Sequence, residues 1–211
     1  VSIRYGISFI NEEQAQRNME LEVSGKDCSG LSAEGRDEWN RELSKIEVYG
    51  GTEEEKSVFY TSLYRTFERM ININEYGKYY SPYDRAVHDT ERNIYTDDWI
   101  WDTYRAAHPL RAIIDRKSEE DMINSFIRMT MESEEKWMPT FPEITGDSHR
   151  MNGNHAVAVI LDGYRKGLRG FDVDSAYMFC RNALLHKSLL PWTRQPLTDL
   201  DTVSYTHLTL P

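Results

Sequence analysis

"TEEEKSVFYTSLYRTF", residues 52–67, decides how the chain reads. Thr52 and Glu55 have the T-x-x-E spacing of a capping box, in which the hydroxyl accepts a backbone N–H three residues on and the carboxylate reaches back to the cap. Phe59, Leu63 and Phe67 then recur at i, i+4 and i+8, one apolar stripe of a helix. The same period extends in both directions. Upstream, Ala15, Met19 and Val23 mark a helix over 12–23, and Trp39, Leu43 and Ile46 mark another over 33–48, stopped by "YGG". Downstream, Ser118 and Asp121 cap a helix to about Glu134 through Met122, Phe126 and Met129. A further helix runs from Asn154 to Leu168 and ends in the glycine stop "KGLRG". Asp172 or Asp174 starts the last, through Ala176, Phe179 and Leu184.

The chain is mainly α. Only "VSIRYGISFI", residues 1–10, alternates like a strand, and a lone strand needs partners. Two long loops, 72–98 and 136–154, interrupt the helices, and loops of that length in a compact domain are usually functional. Short turns make antiparallel helical neighbours, and long loops at one end of an array make a binding face. No repeat of fixed length is present, so an α/α barrel of helical hairpins fits better than a solenoid.

The 211 residues include 39% hydrophobic side chains, 13 tyrosines and 5 tryptophans. A packed core is therefore expected, since disordered chains are poor in aromatics. The formal net charge of −10 argues against a nucleic-acid partner, which needs clustered Lys and Arg. No apolar run reaches the length of a membrane span. No leader pattern opens at Val1, where the chain reads as beginning within a longer protein. Cys28 and Cys180 leave pairing open and lack metal spacing. Residues 191–211 read as a non-native or disordered tail. Their end, "VSYTHLTLP", resembles adapter-derived readthrough, so Tyr205 and His207 are given no chemistry.

"DDWIWDTYRAAHPL", residues 97–110, sets two tryptophans among three aspartates, an arginine and a histidine. Two readings are open. The stretch is an amphipathic helix with Asp102 as its N-cap, or it is the wall of a sugar pocket, where an indole stacks on a ring and a carboxylate accepts hydroxyl hydrogen bonds. Arg105 follows Asp102 by three residues on a shared helical face and either orients that carboxylate or forms a plain intrahelical ion pair with it. His108, before Pro109, reads as a core histidine, and Trp99 as packing.

Five blocks in order carry a resemblance: "NEEQAQRNME", "KIEVYGGTEEEKSVFYTSLYRTF", "YSPYDRAVH", "WDTYRAAHPL" and "MPTFPEITGDSHRMNGNHAVAVILDGYRKGLRGFD". Over most of residues 1–185 the chain resembles glycoside hydrolase family 92, the calcium-dependent exo-α-mannosidases. The resemblance implies a partial (α/α)6 barrel preceded by linker helices and a terminal strand of an N-terminal β-sandwich. On that reading residues 1–10 are the last sandwich strand, 11–50 the linker, and 51–190 the first part of the barrel. It implies a parent enzyme that removes terminal mannose from glycans such as N-glycans or mannan, with inversion, in the periplasm or outside the cell. The family's acid, base and most of its Ca2+ ligands belong to later motifs, so no residue here is assigned as catalytic or as a metal ligand. A non-catalytic glycan-binding module and a helical protein-interaction domain are the alternative functions. Oligomeric state stays open.

Within that reading Trp101 and Asp102 are the residues expected to hold the terminal mannose, with Arg105 beside them; His155, after the "NGN" turn, either lines the pocket or caps and packs its helix. Asp147, Arg150 and Asn154 are weaker candidates in the same loop, and Glu143 is a poor general acid. Tyr79, Tyr80, Tyr83 and Asp84 either rim the next sugar or pack their loop. His88, near Asp84 and Asp89, lacks any recognised zinc spacing.

Overall fold

Among the described residues, five helices begin at an Asn, Asp or Thr whose side-chain oxygen accepts a first-turn backbone N–H: Asn11, Asp27, Thr52, Asp115 and Asp172. That satisfies donors which have no partner inside a helix. The computed structural model describes residues 3–151 and 153–187, divided into two units, Val1–Glu68 and Arg69–Pro211. Among the described residues no helix is long and apolar enough to cross a membrane.

The first unit holds α1 (Glu12–Glu22), α2 (Cys28–Leu43) and α3 (Glu53–Arg65). The capping box forms as its spacing requires: Glu55 N–H donates to Thr52 Oγ1 at 3.2 Å, and Thr52 N–H to Glu55 Oε2 at 2.8 Å. Trp39 of α2 packs on Tyr64 and Phe67, with ring centroids 4.5 and 6.0 Å away. Residues 3–10, expected as a strand, form no ladder. The segment instead lies on α1, where the Asn18 amide donates to Ile7 O at 2.9 Å. Gly6 permits that approach, because a Cβ there would stand 2.0 Å from Ala15 O. The second helix starts five residues earlier than its apolar stripe indicates. Asp27, inside the supposed turn cluster, caps it.

The second unit holds β1 (Ile71–Asn72), β2 (Lys78–Ser81), β3 (Ala86–Asp89), β4 (Tyr95–Thr96), α4 (Ile100–Thr103), α5 (Ala107–Ile114), α6 (Arg116–Glu132), β5 (Pro142–Glu143), β6 (Gly146–Asp147), α7 (His155–Arg165) and α8 (Val173–Leu185). The long loop at 72–98 thus contains two antiparallel pairs, β1 with β4 and β2 with β3. Helix α6 is the axis of the unit, packed by α5, α7, α8 and β4. Its Met122, Ile123, Phe126, Ile127 and Met129 are all buried, so more than one face is covered. Asp115, not Ser118, caps it, by accepting the Ser118 N–H at 3.2 Å.

A charged network joins α5 to α6. His108 lies between two carboxylates, Nε2 at 2.9 Å from Asp98 Oδ2 and Nδ1 at 3.0 Å from Glu119 Oε1, and all three side chains are buried. Burial opposes the imidazolium, but Glu119 and Asp98 outweigh it and push the pKa up to about 9. Arg111, also buried, donates to Arg69 O and supplies the second positive charge. His108 is the satisfied core histidine the sequence indicates.

Cys28 and Cys180 are free thiols, the first exposed and the second half-buried. Burial pushes the Cys180 thiol up to about 11. An apolar groove of about 710 Å3 runs along α7 and α8, lined by Leu161, Tyr164, Phe171 and Tyr177 among others.

Candidate functional site

The stretch at 97–110 folds as two short helices rather than one. Asp102 is therefore not an N-cap. It sits inside α4, whose cap position is Trp99, without a side-chain cap bond. The turn is fixed from below. Ile100 is fully buried, Asp98 N–H donates to Pro142 O at 3.0 Å, and Thr103 Oγ1 donates to Asp98 Oδ1 at 2.8 Å. Asp98 in turn belongs to the buried charge network. The two residues singled out, Trp101 and Asp102, thus stand on a rigid base, Trp101 half-buried and Asp102 exposed.

His155 opens α7 and comes to the same place. Its ring stacks on Tyr104, centroids 4.1 Å apart at 12°, and meets Trp101 edge-on at 5.1 Å. Gly153 makes the room, since a Cβ there would lie 2.9 Å from His155 Nε2. The glycine serves the imidazole as well as the turn. Trp101, Tyr104 and His155 make a three-ring wall with the exposed Asp102 carboxylate next to it in the chain. Such a surface matches the apolar face and hydroxyl pairs of a neutral hexose.

Arg105 does not orient Asp102. Helix α4 ends at Thr103, so the two residues do not share a helical face, and no ion pair joins them. The Arg105 guanidinium lies over Tyr104 instead, 5.4 Å from the ring centroid. Tyr104 was missed in the sequence, although it follows Trp101 by three residues.

The weaker candidates in the 136–154 loop hold the loop itself. Asp147 accepts backbone N–H groups of Thr140, Phe141 and His149 at 2.7, 2.8 and 3.1 Å. Arg150 pairs with Glu143 at 3.3 Å, and Asn154 occupies the cap position of α7. Near them a cavity of about 270 Å3 is lined by Tyr83, Trp137, Glu134, Glu135, Asp147 and His149. Tyr79 is buried, and its hydroxyl donates to Glu132 at the end of α6. Tyr83 buries its hydroxyl too. Tyr79 packs its loop, and the sugar-rim reading does not fit it, whereas Tyr83 also lines the cavity.

Calcium takes six to eight oxygen ligands. Among the described residues, the group of three or more ligating His, Cys, Asp and Glu side chains is Asp84, His88 and Glu132, which includes an imidazole. That set does not fit the calcium ion which the resemblance implies.

The chain matches the model of the glycosyl hydrolase family 92 catalytic domain over residues 14–208. The match runs into the segment read above as a non-native tail. No curated protein matches the chain. Among solved structures it is similar to the family GH92 inverting mannosidase BT2199 from Bacteroides thetaiotaomicron VPI-5482. The identity is 36% and the TM-score 0.74, over 82% of this chain and 23% of that one. It is also similar to the family GH92 α-mannosidase BT3965 from Bacteroides thetaiotaomicron. Here the identity is 28% and the TM-score 0.80, over 86% of this chain and 24% of that one. That enzyme has also been solved with mannoimidazole. The chain therefore spans about a quarter of the length of these structures.

Proposed function

Because the chain belongs to glycosyl hydrolase family 92, we propose that it is part of an inverting exo-α-mannosidase acting on terminal α-mannosyl residues of glycans. Its share of the work is to hold the sugar. The observation that carries this reading is the aromatic wall of Trp101, Tyr104 and His155 beside the exposed Asp102. The Trp101 indole stacks on the apolar face of the terminal mannose, and Asp102 accepts from two of its hydroxyls. Arg105 flanks the wall through Tyr104.

Inversion needs one carboxylic acid to protonate the leaving oxygen and one carboxylate to activate water. On this reading both are supplied by polypeptide outside the matched blocks, as are the calcium ligands, and the helices of the second unit are hairpins of an (α/α)6 barrel. Residues 11–50 act as linker between a preceding β-sandwich and the barrel. The parent enzyme works in the periplasm or outside the cell.

Titrating mannoimidazole into the longer protein that contains this chain tests the assignment. Asp102→Ala is expected to weaken binding roughly 10- to 100-fold, the worth of charge-assisted hydrogen bonds. Equal affinity in the two proteins would remove Asp102 from the site.

A further inference from the structure

The hairpin of β2 and β3 and the end of α6 bring together three ligating side chains that the sugar-holding wall does not use. Asp84 Oδ2 lies 2.8 Å from His88 Nε2, and Glu132 Oε1 lies 4.0 Å from the same nitrogen. All three ligating atoms fall within 4.8 Å of one another. A triangle of those dimensions has a point within roughly 2.4 Å of every corner, close to the bond length of a dication to imidazole nitrogen or carboxylate oxygen. We propose that Asp84, His88 and Glu132 bind a divalent transition-metal ion of the zinc type, which fastens the hairpin to α6.

The surroundings orient these groups as a metal site requires. The hairpin register sets His88 opposite Tyr79. The Tyr79 ring stacks on the imidazole, centroids 5.4 Å apart, and its hydroxyl donates to Glu132. Asp84 turns its other oxygen, Oδ1, to the Ala86 N–H at 3.1 Å, which leaves Oδ2 facing His88. The Asp84 and His88 side chains are 32% and 28% exposed while Glu132 is 9% exposed, so an ion can enter from solvent onto an anchored inner ligand.

One nitrogen and two carboxylates favour zinc and its neighbours over calcium or magnesium. Three protein ligands leave a fourth position for water. Arg128 is the nearby competing cation. Its Nε donates to the Tyr79 hydroxyl at 3.2 Å and stands 3.5 Å from Glu132, beyond a good hydrogen bond, so the contact an ion must replace is the His88 Nε2–Asp84 Oδ2 hydrogen bond at 2.8 Å.

Calorimetric titration of Zn2+ into the full chain is expected to show one saturable site. His88→Ala and Glu132→Gln should each weaken it at least about 10-fold, while Asp89→Asn, the exposed neighbour on β3, leaves it unchanged. Co2+ in place of Zn2+ should give visible ligand-field bands that His88→Ala abolishes, a readout of the ligand set itself. Asp84→Asn, on the exposed turn, serves if His88→Ala unfolds. Absence of saturable binding up to about 100 µM Zn2+, or equal binding by wild type and the His88 and Asp84 variants, overturns the proposal.

Discussion

Residues 12–65 fold into three helices with one buried apolar side chain, Leu63, whereas residues 100–185 fold into five helices around Ile100, Ile123, Phe126, Met138, Val159 and Leu168. In the first set Tyr49 and Val58 are 85% and 67% exposed. What holds those helices is local: Asn11, Asp27 and the Thr52–Glu55 box at their starts, and ion pairs three residues apart such as Lys45–Glu42 and Lys56–Glu53. Exposed pairs of that kind contribute little. The second set is held by burial and by a paired charge network. A well-closed first turn and a packed helix are thus separate properties, and this chain shows one without the other.

The largest effect that would break this comparison lies at the axis. Phe126→Ala in α6 should destabilise the second unit by roughly 3–5 kcal/mol, read as a fall in the urea midpoint. The first unit's helical signal should stay unchanged. Equal loss in both units would show that they melt as one.

The charge network gives the next effect, and its sign is set by His108. The folded pKa, about 9, stands above the ordinary value of 6.5. Its contribution is therefore fully present below pH 6.5 and lost as pH rises through about 9. Stability of the second unit should drop by roughly 3 kcal/mol across that window. His108→Gln should remove this fall and leave the opposite, rising slope of Lys187, whose burial pushes its pKa down to about 8, measured by urea unfolding at both ends of the range. The first unit should show no such slope.

The smallest effect sharpens the other side. Thr52→Ala should cost about 1 kcal/mol of α3 stability. It should appear as faster amide exchange from residue 53 onward, with no change in the protection of α6.

What could be read from the sequence follows the same division. The capping box was legible because both of its partners lie within four residues. The Asp27 cap was hidden in a glycine-rich cluster that reads as a turn, and Asp115 was masked by the Ser118–Asp121 spacing just after it. The alternation of residues 1–10 promised a strand, but a ladder needs a neighbour, which no local pattern can supply. The pairing of Ile71 with Thr96 joins the ends of a long loop and leaves no periodic trace. Asp98, His108 and Glu119 come from three segments, so the histidine could be read as core but its partners could not. In the candidate site, Trp101 was singled out by resemblance and His155 by its place after a glycine turn, and Tyr104, the ring that the imidazole stacks on, was overlooked. The Asp84–His88–Glu132 group depends on Glu132 arriving from α6, which spacing within the hairpin cannot reveal.

The two cysteines fall one in each unit, and burial has made them chemically unlike. Only a thiolate attacks an electrophile. With the Cys180 thiol near 11 and Cys28 open to solvent at the start of α2, a maleimide dye at neutral pH should mark the coreless helices alone. The chain therefore carries its own selective reporter, and the melting of one unit can be timed against the other without altering a residue.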